Sequence, residues 1–540
     1  MDIIDTRDFQ REGISCITFL TDFEEKENIK TINLSGIFLQ TCDVFSLFYK
    51  IFPSYPFLSC VNLSNTSIFD NDMEILFHEM CRMFYLETID LSHNLIQGHT
   101  LKIVNHLVPN YFYLKNLYID NNELDCRGLI NLSQIFRSLV FLEKLSISNN
   151  YVKDFGFQSF AMRIHLLLQL KYLDISYNKC SKETLLLILQ NIPVRKLEYL
   201  NISSLVKLDD EQYFSLFQKY TVFTSHLCVA ISRMKHLKTF IWNSYLNQHI
   251  VNALYNLKEL EVFEAHQKFL YHGTFDHFPY VSCLHTLRIA SVSEQSITAI
   301  LNSLPPTMRE LSCQYIYLNL DTMETYYLFL KRMNKIESIE CSHCGITDTK
   351  FFGILRSIQN KSQIQSLRFP KNYLGRSRKF RNFSNMLEKF KNIKDVCLYG
   401  NFIKDRDFCH LIKSICKIAF TQSIRLSLFE NHRYSNPFVE FIESFTSIEN
   451  AFDCNYKWSK SCRNLCHYME SWQLFHHYVD VLFRQKKQVR EYNQSLCSIQ
   501  KKINDRKGYL QLCQYYSSTK TPYHPVFSTD DLQRFIFSFF

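Results

Sequence analysis

The chain has 540 residues but only 11 Gly and 11 Pro, 22 of 540, whereas 47 Phe, 31 Tyr and 3 Trp make 15% of it aromatic. That balance excludes collagen-like, linker-rich and disordered classes, and the closest two glycines, Gly345 and Gly353, are too far apart for any GxG pair, so glycine-built phosphate loops and the nucleophile elbow are absent. A net charge of +9, from 61 Lys+Arg against 52 Asp+Glu, is spread along the chain and forms no concentrated patch for nucleic acid.

The mean hydropathy of −0.15 is that of a soluble protein, and no window reaches the roughly 18 uninterrupted apolar residues of a membrane helix. The opening MDIIDTRDFQREG has no basic stretch followed by an apolar core, so a cytoplasmic location without membrane attachment is expected. In that setting the 19 cysteines read as reduced, buried small hydrophobes.

In chain order, residues 1–28 show no copy of the pattern that follows and are read as an N-terminal cap. From residue 29 to about 445 the chain repeats. Four segments starting at Leu86, Leu114, Leu142 and Leu170 align without adjustment as LxxLxLxxNxL, each 28 residues after the last. Weaker copies start at Ile29 and Leu58, then at Leu197, Leu237, Leu284, Met308, Ile336, Ile364, Ile393 and Ser423, with a poor one at Leu257. The alternation in LxL predicts a short strand with one face inward. Between strands, stretches such as Gly128 to Leu139 place Leu129, Leu132, Ile135, Phe136 and Leu139 on one helical face. Each unit is then strand, turn and helix, and only its neighbours cover its apolar face. The spacing of 40 from Leu197 to Leu237 predicts a longer helix or a local distortion there.

These motifs resemble the leucine-rich repeat family, of the ribonuclease-inhibitor-like type with 28–29-residue units. The resemblance implies an α/β solenoid, a curved horseshoe with parallel strands on the concave face and helices on the convex face. It further implies a non-enzymatic scaffold or adaptor that binds a partner protein through the concave face. Two other readings follow from relatives: a regulator of a small GTPase, similar to activators of Ran, and a cytoskeletal regulator similar to the CARMIL proteins. The acidic stretch of the former, and the pleckstrin-like domain and proline-rich tail of the latter, have no counterpart here.

After the array, residues 446–516 are read as a helical C-terminal extension and residues 517–540 as a loop with a short terminal helix. An apolar residue recurs every seven positions at Phe475, Leu482, Val489, Leu496, Ile503 and Leu510, one seam of a coiled coil. The companion positions are mixed, so the seam fits either homodimerisation or packing on the solenoid.

Candidate chemistry is sparse, and no catalytic residue, cofactor or metal site is assigned. Cys341 and Cys344 resemble half a zinc site, but the repeat register puts them on a strand and at the Asn position, pointing into the core. Cys454, Cys462, Cys466, His467, His476 and His477 have no zinc spacing beyond one i, i+4 pair and are read as helix core. The outward positions, between the strand leucines and just after them, are mostly Ser in the first half. In the second half the position after the strand becomes Phe263, Ala290, Gln314, Ser342, Pro370, Tyr399 and Phe429, while the position between supplies Arg288, Glu340 and Arg368. Aromatic plus Arg is the composition of protein-binding hot spots. The expected partner-binding residues are therefore Arg288, Glu340, Arg368, Tyr399 and Phe429.

Overall fold

The computed structural model describes residues 3–5, 15–80, 83, 85–99, 113–205, 213–242, 246–265, 275–377, 380, 382–403 and 425–427. The expected tail segments 446–516 and 517–540, with their heptad seam and Cys/His cluster, lie outside these residues, as does Phe429. The chain forms two compact units, Met1–Phe269 with Gly273–His285, and Leu270–His272 with Thr286–Phe540.

The first unit is a parallel sheet built in chain order from β1 (Ile3–Asp5), β2 (Thr31–Asn33), β3 (Cys60–Asn62), β4 (Thr88–Asp90), β5 (Asn116–Tyr118), β6 (Lys144–Ser146), β7 (Tyr172–Asp174), β8 (Tyr199–Asn201), β9 (Thr239–Ile241) and β10 (Val262–Ala265). The second repeats the plan with β11 (Thr286–Ala290), β12 (Glu310–Gln314), β13 (Ser338–Ser342), β14 (Ser366–Arg368), β15 (Asp395–Cys397) and β16 (Arg425–Ser427). Helices lie between most successive strands, and neighbouring helices such as Cys126–Gln134 and Asp154–Ala161 pack side by side. The fold is an α/β solenoid of the leucine-rich-repeat kind.

Counting each repeat from its first leucine, with Leu86 as position 1 and Ile96 as position 11, positions 1, 4, 6 and 11 are apolar and buried: Leu86, Ile89, Leu91 and Ile96 are at most 3% exposed. Leu129, Leu132, Ile135, Phe136 and Leu139 close the same core from the helix side. Polar N-caps start the helices: Asp125 accepts from the Gly128 amide at 2.8 Å, and Asn319 from the Thr322 amide at 2.9 Å.

Position 9 holds the repeats together. The Asn150 amide nitrogen donates to the Ile119, Ile147 and Ser148 carbonyls, each at 3.0 Å, while its oxygen accepts from the Leu124 amide at 3.0 Å. Asn94, Asn122 and Asn178 make equivalent sets in the first unit, and Asn372 and Asn401 in the second. At Cys344 the thiol takes over, donating to the Cys313 and Ser342 carbonyls at 3.2 Å. Position 8, just before, is left-handed wherever it falls among the described residues. Asn65, His93, Asn121, Asn149, Tyr177 and Ser204 in the first unit, and Ser291, Tyr315, His343 and Lys371 in the second, have φ of 50–58°. Only Gly36 and Gly400 put glycine there among the described residues. The scarcity of glycine therefore does not mean a lack of tight turns; asparagine, which tolerates αL, takes three of them, and other residues with a Cβ take the rest.

The segment before residue 29, read as a cap, contributes a strand, with Ile4 fully buried opposite Ile32 in the next strand. The 40-residue interval contains a 20-residue helix, Tyr213–Ser232, the longer helix that its spacing allowed. One expectation changes, the register of the poor copy. The poor copy starts at Leu260 rather than Leu257, because Phe263 pairs with Phe240 and Glu264 with Ile241. Phe263 is consequently a core residue, fully buried with its ring 5.7 Å from that of Phe240, and not an outward one.

Asn150→Ala leaves three carbonyls and one amide of two neighbouring repeats without this partner, which should cost about 2–4 kcal/mol. Hydrogen exchange should then accelerate at the Leu124 and Ile147 amides, and unchanged protection there would contradict the role given to position 9.

Candidate functional site in the second unit

On each strand, positions 3, 5 and 7 share the face opposite the helices. In the second unit, position 5 runs in register through Arg288, Ser312, Glu340, Arg368 and Cys397. The three charged residues expected from the sequence thus lie in one row, on β11, β13 and β14. The two arginines are matched locally by a column the position-5 and position-7 pattern does not reveal, position 3, while Glu340 meets a position-7 amide. Arg288 meets Glu310 in a two-pronged pair, Nε to Oε1 and Nη2 to Oε2 both at 2.9 Å. Arg368 Nε lies 3.4 Å from Asp395 Oδ2, which also accepts from Ser366 Oγ at 3.2 Å. Glu340 Oε1 accepts from Gln314 Nε2 at 3.0 Å. Burial works against the Arg368 cation, but the Asp395 and Glu340 carboxylates outweigh it and hold its pKa above the ordinary value. Between Arg288 and Glu340 in this row, Ser312 is fully buried and its Oγ has no hydrogen-bond partner.

Tyr399 stands at position 7 after β15, half-buried, with Lys371 Nζ 5.2 Å from its ring centroid. The outward edge of the same repeats carries residues that sequence reading passed over because they fall at position 10, outside the strand motif. Tyr373 and Phe402 are 43% and 42% exposed, and the Arg376 guanidinium lies 4.4 Å and 4.1 Å from their ring centroids. Tyr317, at the same position, has Lys350 Nζ 5.1 Å from its ring. Tyr315 and His343 stack at 4.4 Å two positions earlier, at position 8. The signal available in the sequence was the aromatic pair at Tyr373 and Phe402, 29 residues apart in equivalent places.

This arrangement offers charged, hydrogen-bonding and aromatic contact area without a reactive constellation. Cys341 and Cys344 are fully buried in the core, as their register implies; Cys341 Sγ lies 3.4 Å from the Tyr326 hydroxyl. Burial pushes the thiols of Cys313 and Cys344 well above their usual pKa. Among the described residues no group of three or more His, Cys, Asp or Glu could hold a metal ion, and no helix is long and apolar enough to cross a membrane.

Two outcomes follow. Brief alkylation of the native protein at neutral pH, read by mass spectrometry, should label the exposed Cys42 and Cys283 and leave Cys313, Cys341 and Cys344 unmodified; rapid labelling of the last three would contradict their burial. A double-mutant cycle on Arg288→Ala and Glu310→Ala should give a coupling of about 0.5–1 kcal/mol that falls with salt.

No protein-family model matches the chain, and no curated protein matches it. Among solved structures it is similar to an internalin of Listeria monocytogenes, at 12% identity over 70% of this chain and 92% of that one, with a TM-score of 0.40. It is also similar to a leucine-rich repeat protein of Leptospira interrogans, at 15% identity over 76% of this chain and 98% of that one, with a TM-score of 0.38.

Proposed function

We propose that the chain is a non-enzymatic, cytoplasmic scaffold that binds a partner protein through the strand face of its second unit and the adjoining edge. In this reading its repeats are of the ribonuclease-inhibitor-like type. The observation that carries it is the grouping of exposed Tyr373 and Phe402 under Arg376 in the same repeats as Arg368 and Tyr399. Arginine and aromatic side chains dominate interface energetics because they bury large, rigid area and still satisfy polar partners. Arg368 and Glu340 then add orientation: exposed charges set register and association rate more than affinity.

Affinity purification with the full chain as bait, followed by mass spectrometry, identifies the partner. Arg376→Ala combined with Phe402→Ala should weaken its capture by about tenfold or more, since each such anchor carries on the order of 1–2 kcal/mol. Arg368→Ala combined with Tyr399→Ala should weaken it less. Full capture by both double variants would overturn the placement. A purified-protein assay should show GTP hydrolysis by small GTPases unchanged, separating a scaffold from an activator.

A further inference from the structure

Contrary to the even spread expected from the whole chain, positive charge gathers in one part of the second unit. Residues 286–349 carry 5 Lys or Arg against 7 Asp or Glu, whereas residues 350–395 carry 12 against 2. The latter run from the helix Asp348–Ser357 through β14 to the first residue of β15. Their two acids are Glu388 and Asp395, and Asp395 is taken up by Arg368 and Ser366. Asp348, just outside, is buried and accepts from the Gly375 and Ser377 amides, both at 2.7 Å. The band therefore has few carboxylates of its own to neutralise it.

The cations flank the strand face at both edges. On the edge that precedes β14 and β15 lie Lys361, Lys389, Lys391 and Lys394, where Asn392 Nδ2 donates to the Ser362 carbonyl at 2.7 Å and ties the two segments together. Lys361 Nζ caps the helix end by donating to the Ile358 carbonyl at 2.6 Å, and Lys394 Nζ donates to the neutral Gln365 Oε1 at 2.9 Å. Burial, and then the nearby Lys389 ammonium, hold the pKa of Lys361 below the usual lysine value. Lys389 and Lys391 are exposed, and their ammonium groups meet no acceptor among the described residues. On the edge after the strands, Lys371 and Arg376 are exposed too, and neither cation pairs with a carboxylate among the described residues. Arg368 lies between the edges, on β14.

Charge fixes the occupant as an anion, and the rings favour a protein over a nucleic acid. Single-stranded nucleic acid needs aromatic faces open for stacking. The Arg376 guanidinium already lies over both Tyr373 and Phe402, and Gly345 interrupts position 10 between Tyr317 and Tyr373. A guanidinium whose face rests on rings keeps its N–H edge for a carboxylate.

We propose that this band binds an acidic segment of a partner protein, a run of Asp and Glu that crosses the strand face at Arg368 and reaches both edges. Arg376 pairs with one carboxylate in a fixed geometry, while Lys389 and Lys391 attract others as point charges. The proposal rests on the reading of the second unit as a protein-binding surface and names the chemistry of what binds there.

The test is fluorescence anisotropy of labelled deca-glutamate titrated with the full-length protein, beside a Gly-Ser peptide and deca-uridylate RNA of equal length. Saturable binding of deca-glutamate is expected, weakening steeply as salt is raised, with no binding of the Gly-Ser peptide. Lys389→Glu combined with Lys391→Glu should weaken it by about tenfold or more. Lys331→Glu combined with Lys335→Glu changes the net charge equally but lies outside the band, and should leave binding nearly unchanged. Circular dichroism checks that both double variants fold. Failure to bind deca-glutamate, or equal losses in the two double variants, would overturn the proposal. So would tighter binding of deca-uridylate through Lys389 and Lys391, because that result assigns the band to nucleic acid. If deca-glutamate fails while Arg376→Ala with Phe402→Ala still abolishes partner capture, the protein-binding reading stands and the acidic segment falls.

Discussion

The asparagine at position 9 is the interaction on which the rest of the structure depends. Each repeat has only a short strand of its own, so its backbone groups must be satisfied by neighbours. Asn150 does this for two repeats at once, because its amide joins carbonyls of β5's and β6's repeats while its oxygen accepts from Leu124. The same side chain sits directly after Asn149, which is in the left-handed region that asparagine tolerates better than other residues with a Cβ. The turn and the amide support each other. The turn aims Asn150 inward, and its four hydrogen bonds hold the turn in place.

Where the amide is missing, the chain finds other solutions. Thr66 uses its hydroxyl toward the Leu63 carbonyl at 2.7 Å, and Cys344 uses its thiol. Leu205, Val292 and Ile316 put buried apolar side chains in the same slot. In the second unit, β11, β12 and β13 run for five residues, through position 7, where most others stop at three. This repeat economy also decides where function can reside. Positions 1, 4, 6, 9 and 11 are committed to the core and its hydrogen bonds, so variation falls on the other positions. The charged and aromatic groups of interest lie there: Arg368 at 5, Tyr399 at 7, Tyr373 and Phe402 at 10, and Arg376 at 13.

The repeat, its strand–turn–helix plan and the inward Cys341 and Cys344 were legible because each rests on residue types that one position demands. Register in a degenerate copy was not. Leu257, Leu260 and Val262 fit the strand pattern as well as Leu260, Phe263 and Ala265 do, and only pairing with β9 decides between them. The row of Arg288, Glu340 and Arg368 followed from alternation, but the carboxylates that hold the arginines, Glu310 and Asp395, come from a column that alternation also predicts and that the strand motif draws attention away from. The rim aromatics Tyr373 and Phe402 escaped notice for a different reason. They lie beyond the strand motif, where no periodicity distinguishes an exposed ring from a core one, and only the fold shows which side of the chain each faces.

The most direct test of position 9 as the coupling between repeats is residue-resolved hydrogen exchange on the unmodified protein. It compares position-6 amides of the first unit whose repeats carry the asparagine, Leu91 and Ile147, with Ile202, whose repeat carries Leu205, all three being hydrogen-bonded to the next strand. The account predicts that Ile202 exchanges roughly tenfold faster or more, a difference of about 1.4 kcal/mol in local opening. Equal protection at the three amides, or slower exchange at Ile202, would contradict it.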